Sequence, residues 1–259
     1  MAASDSAVDR AGLDAVALKP TEHDLARAVD LQVGTVAIDY EGREHLPERS
    51  LLRDLAEEKT VLLTTPVRAD GFDPLGDDSL WDWVPDGVRR VLVAGHPAYL
   101  SEEEADRAIA PRLGAGIERA PDAWVGTEGV ERLALATGAT QFELLSRDTE
   151  RSLRALRAAG FEGDLAVYAP TVLSDDEDAV LDAIGDYVAR RGAVRRAMPD
   201  GGRADAGAEG RSREVLRSAV EDYALVGDSA TVNERVSSLR EAGATSIVGY
   251  PARGIEELL

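Results

Sequence analysis

The residues best suited to chemistry in this sequence stand directly after short apolar runs. His96, in Ala94-Gly95-His96-Pro97, follows the run at residues 89–94. An imidazole at that point could donate a hydrogen bond to a cofactor carbonyl or act as a general acid near neutral pH. A turn histidine bonded to the local backbone is the alternative. Glu22 and His23 follow the first run in the same way, and their alternative is an ordinary position on the first turn of a helix.

Lys19 is the second candidate, because only Lys19 and Lys59 are lysines among 29 basic residues. Its amine could form a Schiff base with a carbonyl compound or bind an anion. The alternative is an ordinary ion pair, for which Asp39 on the neighbouring run is the expected partner. A lyase or aldolase that uses Lys19 therefore stays open as one interpretation.

Two turns that contain glycine could bind an anion. Gly126-Thr127-Glu128-Gly129 opens a predicted helix, where backbone N–H groups and glycines allow a phosphate to approach closely. Such turns are common, so this signal alone is weak. Residues 249–254 form the second turn, and the guanidinium of Arg253 within it suits phosphate geometrically.

Several familiar signatures are missing from the sequence. No G-x-S-x-G elbow, Walker loop, H-E-x-x-H or G-x-G-x-x-G follows any apolar run. The absence of cysteine excludes disulfides, thiol catalysis and thiolate metal sites. Three widely spaced histidines do not suggest a zinc triad, so no metal site is predicted.

These candidates can share one site only if the apolar runs form a parallel sheet. The eight runs are residues 15–18, 35–39, 60–65, 89–94, 122–126, 141–145, 164–169 and 246–250. Several are continuously apolar, which is typical of strands covered on both faces. Amphipathic stretches separate most of them, and regular alternation implies parallel strands joined by helical crossovers. Eight strands in roughly 250 residues predict a (β/α)8 TIM barrel, whose reactive groups lie past the C-terminal ends of the strands.

Two segments depart from this alternation. Residues 68–88 are rich in glycine and proline and contain no good helix, which leaves a doubly wound open sheet as the alternative fold. Residues 192–212 carry five glycines and few large aliphatic residues, which predicts a flexible, disordered insertion before the last strand. A mobile basic lid is the alternative for this arginine-rich segment. We expect residues 1–259 to form one domain.

The charge balance restricts the partners. With 49 acidic and 29 basic residues the net charge is −20, which argues against nucleic acid as a partner. No run of 18 apolar residues and no signal-peptide pattern is present, so we expect a cytoplasmic protein without a membrane partner. Excess carboxylate with scarce lysine is typical of proteins from halophilic archaea. Most of the acidity is therefore interpreted as adaptation to salt.

Three segments of the second half follow a recognisable order. Residues 121–139 form a strand, a glycine turn and a helix, and residues 164–178 form a strand with an acidic helix start. Residues 226–248 form a helix–glycine–strand ending, followed by Gly249-Tyr250-Pro251. Their order and spacing resemble the bacterial luciferase-like superfamily of flavin- or deazaflavin-dependent oxidoreductases, most of all methylenetetrahydromethanopterin reductase. The resemblance covers residues 121–259.

The resemblance implies hydride transfer with deazaflavin coenzyme F420 or FMN bound at the mouth of the barrel. It implies that His96 and Glu128 contact the reacting ring. The residues implied to bind the cofactor are Gly126, Thr127, Gly249, Tyr250 and Arg253. The first strand lacks the family's usual pattern, since Glu22-His23 arrives about two residues late. A non-catalytic barrel that has lost its cofactor therefore stays an alternative. In every case we expect a small-molecule ligand, and a homodimer is left open.

Overall fold

Parallel strands form one closed sheet in the computed structural model, which describes residues 6–96 and 99–259. The strands are β1 Ala15–Leu18, β2 Thr35–Ile38, β3 Thr60–Pro66, β4 Val88–Val93, β5 Trp124–Gly126, β6 Gln141–Leu144, β7 Leu165–Val172, β8 Leu225–Val226 and β9 Ser246–Pro251. The strands from β1 to β6 pair in sequence order, β9 lies between β1 and β7, and β7 pairs with β6 to close the ring. The two-residue strand β8 pairs in parallel with the end of β7. The fold is a (β/α)8 barrel, as predicted, and not an open sheet.

Side chains alternate between the interior and the outside of the ring, as the pleat requires. Small Ala15, Ala17 and Ala37 face the interior together with larger Phe142 and Tyr168. The residues between them point outward and are mostly aliphatic, so they pack against the surrounding helices. This double covering explains why the strands appear in the sequence as continuous apolar runs.

Helices surround the ring on its outer side. They are α1 Ala7–Ala11, α2 Arg49–Glu58, α3 Glu102–Ala105, α4 Ile109–Arg119, α5 Glu131–Ala136, α6 Thr149–Ala158, α7 Glu177–Ala189, α8 Gly192–Ala197, α9 Gly210–Tyr223 and α10 Ser229–Ala242, with 3-10 turns at Leu25–Asp30, Arg43–His45 and Ile255–Leu258. α10 illustrates how the sequence sets the start of a helix. Asp228 caps its first turn by accepting a hydrogen bond from the Thr231 N–H at 2.8 Å. Val232, Val236 and Leu239 then bury one face against the core.

The connection between β3 and β4 has no helix or strand over residues 67–87, as the sequence predicted. A buried carboxylate holds it in place instead. Asp73, only 1% exposed, accepts from Arg112 Nε at 2.9 Å and from Arg107 Nη1 at 3.2 Å. The guanidiniums of Arg107 and Arg112, which both follow β4 in the sequence, thus neutralise the buried charge. Through Arg112 they tie the loop to α4.

Residues 192–212 differ from the expected disordered insertion, because they contain α8 and the beginning of α9. Val194 and Ala208 are buried among the apolar residues of α7 and α9, which form a core of their own. The carbonyl of Ala204 lies so close to Gly185 on α7 that no Cβ would fit between them. The small residues that suggested disorder therefore permit close packing. We refer to α7, α8 and α9 as the helical insertion.

None of the helices in the described part of the chain combines the length and the hydropathy needed to cross a bilayer.

Candidate active site at the mouth of the barrel

Five side chains meet where the strands end, and we call them the mouth cluster: Lys19, Glu22, Asp39, Tyr168 and Tyr250. The rings of Tyr168 on β7 and Tyr250 on β9 stack with centroids 6.1 Å apart. The Tyr168 hydroxyl donates to Asp39 Oδ2 at 3.2 Å, and the Tyr250 hydroxyl donates to Glu22. Lys19 Nζ lies 2.9 Å from Glu22 Oε1 and 4.4 Å from the centre of the Tyr250 ring. The cluster is continuous from β1 to β7.

Burial gives the acids of the cluster different proton affinities. Burial raises the pKa of Asp39 to about 6, against the lowering effect of the Lys19 charge and the hydrogen bond from Tyr168. Burial also acts on Glu22, but hydrogen bonds from Tyr250 and Lys19 outweigh it and lower its pKa. The pKa values of Tyr168 and Tyr250 are both raised, chiefly by burial. Near neutral pH, Glu22 is therefore ionised, both tyrosines carry their protons, and Asp39 can gain or lose one.

His23 holds the cluster together. Its Nδ1 accepts from the Lys19 N–H at 3.0 Å, which leaves Nε2 to donate to the Pro251 carbonyl at 3.1 Å. Its ring meets the ring of Tyr250 edge-on at 5.5 Å. Because both ring nitrogens are engaged, the buried imidazole joins the end of β1 to the end of β9.

Lys19 forms an ion pair, but with Glu22 and not with the expected Asp39. A Schiff-base nucleophile must present a neutral amine to its substrate. Lys19 Nζ is instead held between the Glu22 carboxylate and the face of the Tyr250 ring. The surroundings of Lys19 thus suit a fixed positive charge better than an aldolase nucleophile.

His96 and Glu128 lie on the rim, outside the buried cluster. His96 follows β4, is exposed, and has its ring 6.0 Å from that of Tyr99. Glu128 is also exposed and pairs with Arg191 Nη1 at 3.3 Å. Both occupy the end of the barrel at which the sequence predicted them, and their contact with a cofactor ring stays a prediction.

The predicted anion turn after β5 already uses part of its hydrogen-bonding capacity. Thr127 N donates to the Phe142 carbonyl at 3.0 Å, and Gly129 N donates to Glu131 Oε1 at 3.3 Å. A Cβ on Gly126 would lie 2.8 Å from Val93 Cγ1, so this glycine permits close strand packing. Neighbouring side chains would therefore have to supply further hydrogen bonds to an anion bound at this turn.

The three residues predicted for the second anion turn have different surroundings, because Gly249 and Tyr250 lie within β9 and only Arg253 follows the strand. Gly249 is buried in the barrel wall, where a Cβ would lie 2.6 Å from Leu13 Cδ1. Tyr250 belongs to the mouth cluster. Arg253 is 46% exposed, and its Nη1 lies 3.4 Å from Glu257 Oε1. Of these, Arg253 is the cation that a ligand at the rim could reach.

The helical insertion adds two residues that the sequence analysis missed. The Arg191 guanidinium stacks on Tyr187 at 4.3 Å, lies 5.8 Å from the Tyr223 ring, and donates to the Tyr187 hydroxyl. Its buried Nε has no hydrogen-bond partner among the described residues. Burial raises the pKa of Tyr187, and the charges of Glu128 and Asp39 add to the shift. The Tyr–Arg pair at i, i+4 was the available signal, and both residues lie just before the segment 192–212 that was expected to be disordered.

Two cavities flank the mouth. One of 540 Å³ lies between α5 and α6, and one of 450 Å³ lies beyond β2 and β3, with Tyr40 and Glu104 in its wall. Within residues 6–96 and 99–259, no group of three or more His, Asp or Glu side chains is arranged to hold a metal ion.

Comparisons with known proteins bear on the fold and the family. The model of a family of unknown function, DUF7388, matches residues 8–258. A search of curated proteins returns no match. Among solved structures, the chain is similar to an F420-dependent secondary alcohol dehydrogenase in complex with an F420–acetone adduct, with 10% identity, 93% of each chain covered and a TM-score of 0.61. It also aligns with a glycerol uptake operon antiterminator regulatory protein from Listeria monocytogenes, with 9% identity, 92% of each chain covered and a TM-score of only 0.46. The dehydrogenase likeness supports the barrel fold.

Proposed function

This chain belongs to DUF7388, and we propose that it is an oxidoreductase that transfers hydride at the mouth of its barrel, with coenzyme F420 or FMN as the cofactor. The substrate class that we propose is a small alcohol or the corresponding carbonyl compound. The observation that carries the proposal is the Asp39–Tyr168 pair in the mouth cluster.

The reason is the proton that accompanies the hydride. Reduction of a carbonyl compound requires a proton at its oxygen, and oxidation of an alcohol releases one. A carboxyl whose pKa is about 6 can supply or accept that proton near neutral pH. The Tyr168 hydroxyl orients Asp39, and the Lys19 ammonium would favour the electron-rich oxygen of the substrate. The bound cofactor would supply the donor or acceptor of the hydride.

The donor set at this end of the barrel fits such a cofactor. Its phosphate needs cationic donors, and Arg191 offers a buried Nε without a partner among the described residues. Arg253 offers an exposed guanidinium on the same rim. In this proposal His96 and Glu128 contact the ring, Tyr250 lines its site, and the turn of Gly126 and Thr127 adjoins the phosphate. The fold likeness to the F420-dependent alcohol dehydrogenase supports the choice of cofactor and substrate class.

Cofactor binding is the first test. The protein, purified in high salt, is titrated with F420 and with FMN by fluorescence quenching and by equilibrium dialysis. We expect one of them to bind in the micromolar range. No binding of either below millimolar concentration would contradict the proposal, and so would tight binding without oxidation of any small secondary alcohol or reduction of any ketone.

The role of Asp39 is tested with the same assay. Asp39→Asn should lower kcat by at least about 100-fold, within the usual range for loss of a general acid or base, and leave the cofactor Kd nearly unchanged. In the wild type, kcat/KM for alcohol oxidation should rise with pH through about 6, because the carboxylate form accepts the proton. The variant should lack this limb. Asp54→Asn, an exposed position on α2, is the matched control and should behave as wild type.

A further inference from the structure

The outer face of β6 differs from that of its neighbours. Outward positions on the other strands are mostly aliphatic, as with Val36 and Ile38 on β2, and helices cover them. On β6, Phe142 and Leu144 face the interior, so Gln141 and Glu143 point outward. Two polar side chains therefore occupy a face of the barrel that is normally sealed by apolar packing.

The helices do not close over this face. A cavity of 540 Å³ lies above it, with residues of α5 on one side and of α6 on the other. That volume is within the range of small-molecule sites, roughly 300–1,000 Å³. Its apolar wall is formed by Leu135, Leu145 and Leu156. Leu135 is also 38% exposed, although large aliphatic side chains are usually covered.

The polar groups on the cavity floor are mainly hydrogen-bond acceptors. Gln141, only 3% exposed, donates through Nε2 to the carbonyls of Ala134 at 3.1 Å and Ala139 at 2.7 Å. Both of these hydrogen bonds use Nε2, so neither engages Oε1. The Glu143 carboxyl accepts one hydrogen bond, from Thr149 Oγ1 at 3.0 Å, and forms no described ion pair. Burial raises its pKa, and the charge of Glu131 adds to the shift.

With the floor residue Glu143 included, the charged side chains that line the cavity are three acids and two bases. Glu128, Glu131 and Glu143 line it, against Arg132 and Arg191. Arg191 pairs with Glu128 through Nη1 at the rim, and its Nε has no partner among the described residues. The acceptors of Gln141 and Glu143 on the floor, together with the leucine wall, suit a ligand that brings N–H donors, a positive charge and an apolar body.

We propose that the cavity between α5 and α6 is a binding site for a primary organic amine with an apolar body, separate from the mouth cluster. Its ammonium group binds the Glu143 carboxylate and Gln141 Oε1, and its body packs on Leu135, Leu145 and Leu156. The site does not depend on the redox function proposed for the mouth, although Thr127, Glu128 and Arg191 line both this cavity and the proposed cofactor site.

The test uses 2-phenylethylamine as the probe, with isothermal titration calorimetry on the full chain at pH 8 and constant salt. We expect a Kd below about 1 mM, and at least tenfold weaker binding of neutral 3-phenylpropanol. Glu143→Gln, which keeps the shape of the side chain, should weaken binding of the amine at least tenfold. Glu118→Gln, at an exposed position on α4 outside the cavity, removes an equal charge and should change it less than threefold.

Three results would overturn the proposal. They are unchanged affinity in Glu143→Gln, tighter binding of anionic 3-phenylpropanoate than of the amine, and loss of amine binding in Asp39→Asn. Loss of amine binding in Asp39→Asn would assign the amine to the mouth of the barrel and not to this cavity. If Asp39→Asn still binds the amine but the protein binds neither F420 nor FMN, the amine site is supported. In that case only the redox function proposed for the mouth is contradicted.

Discussion

At the scale of one residue, Asp39 shows how the closed barrel changes the pKa of a side chain. The end of β2 brings this carboxyl beside Tyr168, where burial raises its pKa to about 6. An unfolded aspartate has a pKa of about 3.9. The folded protein therefore binds this proton more strongly than the unfolded chain does, and deprotonation of Asp39 opposes folding. In the proposed function, this group trades stability for activity.

We predict that Asp39→Asn stabilises the protein at pH 8, where the wild type must keep a largely buried carboxylate ionised. Because the folded pKa is raised, the wild type loses stability between about pH 4 and pH 6 and does not regain it above. The gain in the free energy of unfolding should be at most about 3 kcal/mol at pH 8. It should disappear near pH 4, where the carboxyl is protonated in both states.

Urea unfolding of both proteins at pH 8 and pH 4 measures this difference. Asp54→Asn should show no pH-dependent gain, because that side chain is exposed. A less stable Asp39→Asn at pH 8 would show that the ionised carboxylate is stabilised by its neighbours more than burial destabilises it.

At the scale of elements, the helical insertion changes the site most. Its helices pack through small residues, and it brings Tyr187 and Arg191 to the rim. Gly185 on α7 touches the loop that joins α8 to α9, where a built Cβ would overlap the Ala204 carbonyl. This contact is specific enough to test whether the insertion is ordered as described.

We predict opposite effects for two Gly→Ala substitutions in helices. Gly185→Ala should destabilise the protein by more than about 2 kcal/mol, because the backbone at Ala204 must move. Gly114→Ala on α4 should stabilise it by about 0.5–1 kcal/mol, because the site is open and alanine favours the helix. Thermal and urea unfolding give both values. Similar behaviour of the two variants would argue that residues 198–209 do not pack on α7.

At the scale of the whole molecule, the net charge of −20 sets the response to salt. Like charges across the surface repel one another and oppose the compact state. The Debye length falls from about 10 Å at 0.1 M salt to about 3 Å at 1 M, so concentrated salt screens this repulsion. Exposed ion pairs such as Arg119–Asp82 are weakened as well, but each contributes little. The halophilic source stays a prediction.

We therefore predict that raising NaCl from 0.1 M to 2 M at pH 7.5 increases Tm by several degrees. The matched control is the same series near pH 4.5, the isoelectric point, where repulsion is small and the gain should largely vanish. Scanning calorimetry gives both series. A Tm that falls with salt at pH 7.5 would mean that attractive ion pairs dominate the surface.

Local patterns in the sequence were enough to predict the barrel, because each strand is recognisable from its own residues. A strand covered on both faces must be apolar along its length, and all eight predicted runs became strands with ends shifted by a few residues at most. Lys19, Asp39, Tyr168 and Tyr250 could be assigned to the mouth, because parallel strands bring their C-terminal ends together. α9 and the packing of residues 192–212 could not be predicted, since glycine and alanine are compatible with both disorder and close contact.

Which of the rim residues form a cluster became clear from the three-dimensional packing and could not be read from the sequence. His96 has the type of side chain that catalysis favours, but it is exposed, whereas Asp39 is largely buried beside Tyr168. The sequence order of these residues carries no information on that difference. The proton affinity of Asp39 depends on its burial and on charges from distant parts of the chain. Both are established only when the closed barrel brings the ends of β1, β2, β7 and β9 together.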